Sequence, residues 1–151
     1  ESLLDAVWQR FFSDVEKVNP VEIKWGRRAR FRFGSIRLVE GRFGIGSKSA
    51  ITVTRMFQSS KIPERVVAYT VAHELAHYAH GFSSKHARAS EYPHVGSVVD
   101  KELVKRGMAH IVSAYKTWLK SYRQEVVAEK MSQRLLSRKA AASRRRRWWW
   151  M

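Results

Sequence analysis

His73-Glu74-Leu75-Ala76-His77 places two imidazoles four residues apart, with a carboxylate next to the first. On a helix, residues four apart share a face, so His73 and His77 can grip one ion from the same side. Glu74 lies about 100° round the helix from His73. It leaves from the edge of that face, where it can reach an attacking water without ligating the ion. These are the parts of a zinc hydrolase at the spacing a helix can use.

The flanks support a helix. Ser59 and Ser60 are candidate hydroxyl caps, Pro63 and Glu64 suit a first turn, an apolar run leads to Ala72, and Gly81 is a natural stop. The spacing predicts a helix from Pro63 to His80 with the motif in its last two turns. Val67, Val71, Leu75 and Tyr78 form one apolar stripe, and Val66, Thr70, His73, His77 and His80 form another. Ala68, Ala72, Ala76 and Ala79 permit close packing, so this helix is expected at the centre of the fold. The plainer reading is a core helix with two hydrogen-bonded histidines. Burying Glu74 beside them without a partner is costly, which favours the metal.

A catalytic zinc takes three protein ligands and leaves a fourth position open. His94 is the expected third ligand, because Pro93 fixes the approach and His94-Val95-Gly96 opens the next helix. His86, in the polar connection, is the alternative, and Glu102 is the candidate if neither histidine serves. His80 lies about 10 Å along the axis from His73, too far to share an ion, and is expected at the rim.

Elsewhere, Leu3, Leu4, Val7, Trp8, Phe11, Phe12 and Val15 fall at helical spacing from Ser2 to about Lys17, with Asn19-Pro20 as the break. Strand character follows at Val21–Trp25, Ala29–Phe33, Ser35–Val39 and Ala50–Arg55. Arg28, Arg30 and Arg32 alternate with Ala29, Phe31 and Phe33, as in a strand with one basic, wet face. Gly41 to Gly46 sits between strands and lacks the Lys-Ser/Thr ending of a phosphate loop. Beyond the motif a helix is expected from Val95 to Arg106, closed by Gly107. A long basic helix follows from Ala109 to about Ala142, and Arg144–Arg147 and Trp148–Trp150 precede the last residue, Met151.

The chain has 151 residues and no cysteine, so disulfides and cysteine zinc fingers are excluded and any metal must use His, Asp or Glu. Residues 1–100 hold 15 Lys or Arg against 10 Asp or Glu, whereas residues 101–151 hold 14 against 3. This asymmetry points to a polyanion, most often nucleic acid, as partner of the tail. The start at Glu1 reads as a processed or excised chain. Neither a secretory signal nor an apolar run long enough to cross a membrane is visible, so a cytoplasmic or nucleoid-associated protein is expected.

From Arg28 to Gly107 the sequence resembles the SprT-like (Spartan-type) zinc metallopeptidase domain. The resemblance rests on a basic strand, Phe33-Gly34-Ser35, Ile51-Thr52-Val53, the helix with Ala72-His73-Glu74-Leu75-Ala76-His77, and a later His followed by a helix. His94-Val95-Gly96 carries one residue more than the family's His-Gly, which keeps His86 open. The resemblance implies an α+β, zincin-like fold: an N-terminal helix, a small antiparallel-type sheet, an HExxH active-site helix and further C-terminal helices. It divides the chain into a peptidase domain over residues 1–107 and a basic helical extension over 108–151. By the same resemblance His73, His77 and His94 would bind Zn2+, Glu74 would be the catalytic base, and proteins bound to DNA would be the substrates. Tyr69 and Tyr92 are candidate oxyanion donors. Two other readings stand beside this one: a zinc peptidase with a different target, and a basic nucleic-acid-binding protein whose zincin-like domain is inactive.

Overall fold

Ser2 opens the first helix by accepting a hydrogen bond from the Asp5 amide, so α1 (Leu3–Phe11) starts where its periodicity does. It ends earlier than the expected Lys17. The Arg106 guanidinium takes the Phe11 carbonyl, ion-pairs with Asp14 and covers the Phe12 ring, so the last carbonyl is satisfied from a distant element and Val15 leaves the helical path.

The computed structural model describes residues 2–44, 46–89 and 97–148. Within them the protein is α+β, with four α-helices and one three-stranded sheet. The strands are β1 (Val21–Trp25), β2 (Gly34–Val39) and β3 (Lys48–Val53), in the order β1-β3-β2. The sheet is mixed, not the antiparallel type expected, because β1 runs parallel to the central β3 while β2 runs antiparallel to it. That order also accounts for the missing strand at Ala29–Phe33. Val53 pairs with both Trp25 and Gly34, so residues 26–33 must cross over the end of β3 to pass from one edge to the other. Thr54 pins the crossing: its hydroxyl accepts from the Ala29 amide at 2.9 Å and donates to the Ala29 carbonyl at 3.1 Å.

Alternation along the strands buries Ile51 and Val53 against the helical layer and leaves Arg37 and Lys24 on the opposite, open face. Helix α2 (Glu64–Ala79) lies within one residue of its expected bounds and is buried on nearly every side from Tyr69 to Tyr78. Ala72 and Ala76 are fully enclosed, and Trp8 of α1 meets Tyr78 edge-on at 5.4 Å. Gly81 ends the helix in a Schellman turn at φ +76°, with Phe82 N–H bonding the His77 carbonyl and Gly81 N–H the Tyr78 carbonyl. A Cβ there would stand 2.5 Å from the Ala87 carbonyl oxygen, so the turn requires glycine. The following loop is tied down by buried Asn19, whose side chain bonds Ser49 Oγ and the Lys85 amide.

Helix α3 (Val98–Lys105) buries Val99 and Leu103, and Gly107 closes it at φ +82°. Helix α4 (Ala109–Trp148) runs beyond the expected Ala142. The chain divides into two compact units, Glu1–Tyr115 and Lys116–Met151. Ile111, Val112 and Val126 of α4 are buried, whereas Val127, Met131, Leu135 and Leu136 are exposed, so beyond Val126 its apolar spacing is not the face of a core. No helix among the described residues is long and apolar enough to cross a membrane.

Candidate functional site

Both histidines of the motif and the glutamate between them line one cavity of about 410 Å³, walled by Arg32, Gly34, Ser35 and Ile36 from the β2 side and by Phe82 and Ser83 from the loop after α2. The His73 and His77 ring centres are 4.8 Å apart and nearly perpendicular. Two imidazoles bound to one ion at about 2.1 Å, at a tetrahedral angle, put their ring centres about 5 Å apart. The pair is therefore spaced to share a metal. The Schellman turn contributes directly here, since it sets Phe82 edge-on to His77 at 6.1 Å.

Glu74 is buried, and burial pushes its carboxyl up to about 7 against a partial opposing pull from Arg32 and from the Ile36 amide. Its position depends on Gly34. A Cβ at that residue would stand 2.6 Å from Glu74 Oε1 and 2.8 Å from Thr70 Cγ2, so only glycine lets the carboxylate reach the start of β2. On the other side of Ile36, Ser83 Oγ donates to its carbonyl at 3.2 Å, fixing the cavity wall.

Behind His73, the Tyr69 hydroxyl donates to Asp100 Oδ1 at 2.6 Å and lies 3.4 Å from His73 Nδ1. Burial and the Asp100 carboxylate hold this phenol protonated, well above its ordinary range. With its one proton directed at Asp100, the tyrosine oxygen faces His73 as an acceptor. A proton on Nδ1 then leaves Nε2 with the lone pair a metal needs, a carboxylate–tyrosine–histidine series of the kind that orients ligands. The Tyr69 proton is therefore not offered to the cavity as an oxyanion donor would be.

The distal candidates are placed as follows. His94 and Tyr92 lie outside the described residues. His86 packs edge-on to Tyr78 at 5.1 Å, with Nε2 2.9 Å from the Glu16 carbonyl, and does not line the cavity. Glu102 is bonded to Arg106 Nε at 2.8 Å and does not line it either. His80 caps the end of α2. Among the described residues no group of three His, Asp or Glu forms a metal cage. Sequence reasoning named Arg32 and Gly34 only as strand and motif residues, not as neighbours of Glu74, and it missed Asp100 altogether. Tyr69 was visible as the residue four before His73, but its partner Asp100 is 31 residues away.

No protein-family profile, curated protein or solved structure matches the chain.

Proposed function

We propose that the chain is a zinc-dependent endopeptidase of the zincin type, as the resemblance to SprT-like domains implies, with His73, His77 and His94 as ligands and Glu74 as general base. The observation that carries this reading is the buried Glu74 carboxyl in the same cavity as a histidine pair spaced for one ion. Zinc held there would supply Lewis acidity, polarising a carbonyl and lowering the pKa of a bound water to near 7. Glu74, in the same cavity as the two histidines, would take a proton from the attacking water and pass it to the leaving amine. Arg32 and the Ile36 amide hold the carboxylate in place, and Tyr69 with Asp100 orients His73. The deciding experiment is cleavage of an unfolded protein by the zinc-loaded chain, with chelator and Glu74→Gln as controls, in the presence and absence of DNA. No chelator-sensitive cleavage under any condition would refute the reading.

Gly34→Ala is expected to keep the zinc while lowering turnover about 10- to 100-fold, because the added methyl displaces the Glu74 carboxylate by a large fraction of an ångström. Metal analysis beside peptide turnover checks it, and unchanged turnover would detach Glu74 from the chemistry.

The proposal extends to DNA-associated substrates through the basic second unit, whose residues 127–141 are solvent-exposed. Deleting the chain from Arg138 onward should weaken nucleic-acid binding and flatten its salt dependence by about 0.7 to 0.9 in the log–log slope per lost phosphate contact. Zinc content and cleavage of a short peptide should persist. Equal affinity and equal salt slope for full-length and shortened chains would remove the tail from nucleic-acid capture.

A further inference from the structure

We propose that a groove on the open face of the sheet, bounded by Arg27, Arg32 and Arg37, is a subsite that takes acidic side chains of the peptide substrate. The proposal rests on the peptidase reading for the identity of the chain that enters it.

The groove has a volume of about 440 Å³, within the range of ligand clefts of about 300–1,000 Å³. Its position follows from the strand register. Ser35 pairs with Thr52 and Arg37 with Ala50, so the side chains of Ser35, Arg37 and Thr52 stand on the face turned away from buried Ile51 and Val53. The crossing segment over the end of β3 adds Arg27 and Arg32 to the rim, and the floor carries the Ser35 and Thr52 residues. Gly26 shapes this floor, since a Cβ there would lie 2.5 Å from Thr52 Cγ2. Among the described residues no acidic side chain lines the groove, and Glu22, on β1, is bound to Lys48 at 2.7 Å. Three guanidinium groups around hydroxyl-bearing residues suit a carboxylate, which a guanidinium meets through two parallel hydrogen bonds.

The choice of occupant comes from continuity. Arg32, Gly34 and Ser35 belong both to this groove and to the cavity that holds Glu74. A chain that occupies the cavity as a peptide substrate passes over Gly34 and Ser35 directly into the arginine groove. A phosphodiester strand would meet the same arginines, but it could not continue into the cavity as the peptide bond being cut.

The test uses fluorescently labelled peptides of one length, rich in Glu, in Ala or in Lys, bound to the zinc-loaded Glu74→Gln chain and cleaved by the parent chain. The acidic peptide is expected to bind and to turn over about tenfold better than the Ala peptide at low salt, a margin set by several modest exposed pairs and reduced at high salt. Arg27→Ser/Arg37→Ser, at two exposed positions outside the catalytic cavity, should erase that margin while leaving the Ala peptide unchanged. Arg37→Glu should shift preference toward the Lys peptide. Equal affinity for the three peptides, or an acidic preference that survives in the double variant, overturns the proposal. So does an oligonucleotide that displaces the acidic peptide and binds more tightly through the same two arginines. Failure to cleave any peptide, with the Arg27/Arg37-dependent binding preference intact, refutes the peptidase reading and leaves the acidic-peptide site standing.

Discussion

Replacing Glu74 by Gln is expected to leave zinc bound and to reduce hydrolysis about 10²- to 10⁴-fold. The amide keeps the volume of the side chain and can still accept from the Ile36 amide, but it cannot take a proton from water. Gly34 leaves room for either group, since its missing Cβ is what clears the space beside Glu74 Oε1. Parallel measurement of metal content and of peptide turnover separates this loss from a loss of folding. Parental turnover in Glu74→Gln would rule Glu74 out as the base.

The same substitution has a second consequence with the opposite sign. In the metal-free protein burial raises the Glu74 carboxyl from 4.5 to about 7, so the folded chain holds its proton over a range where the unfolded chain has released it. Stability from this group therefore falls as pH rises from about 4.5 to about 7, and the full cost, about 3 kcal/mol, is present above that window. Gln carries no charge to desolvate. Metal-free Glu74→Gln should unfold on the order of 5 to 10 °C above the parent at pH 8, and the gap should close near pH 4. A cost of this kind at neutral pH is what the proposed catalytic role of Glu74 requires, since stability alone would favour an uncharged side chain there. Calorimetry of the two proteins across this range, in chelator, measures it, and parallel pH profiles would show that Glu74 is not held as a desolvated acid.

What could be read from the chain followed from how local each signal was. Val21–Trp25 appears with the bounds its composition indicates, and α2 matches because its stop, Gly81, acts within the helix's own last turn. The Arg28–Phe33 alternation has the period of a strand, yet the segment must cross the end of β3, and the order β1-β3-β2 that forces this is a property of pairings made elsewhere. α1 stops at Phe11 because of Arg106, a guanidinium 95 residues away. The site divides in the same way. His73, Glu74 and His77 stand together because one helix turn brings them together. Gly34 is marked in the sequence only as part of Phe33-Gly34-Ser35, and its need to be glycine comes from the approach of Glu74 and Thr70 on α2, while Asp100 has no local mark that separates it from any acid in a first helical turn.

His73→Ala and His77→Ala are each expected to abolish stoichiometric zinc binding and, with it, all chelator-sensitive cleavage. Each removes one of the two imidazoles whose ring centres lie 4.8 Å apart, and a single remaining helical ligand cannot define a site. The two losses should differ in their side effects. His77 is buried against Phe82 at the end of α2, so its truncation opens a gap behind the Schellman turn and should also lower the melting temperature. His73 is less enclosed, and its loss should be felt chiefly through the metal. His86→Ala and Glu102→Ala supply the contrast: their side chains are engaged with Tyr78 and the Glu16 carbonyl, and with Arg106, so both should keep zinc while costing stability. His94→Ala should fall with the first pair if it completes the ligand set. Zinc titration of the five variants against a chromophoric chelator reads all of these outcomes at once, and full occupancy in either His73→Ala or His77→Ala would end the metal reading of the motif.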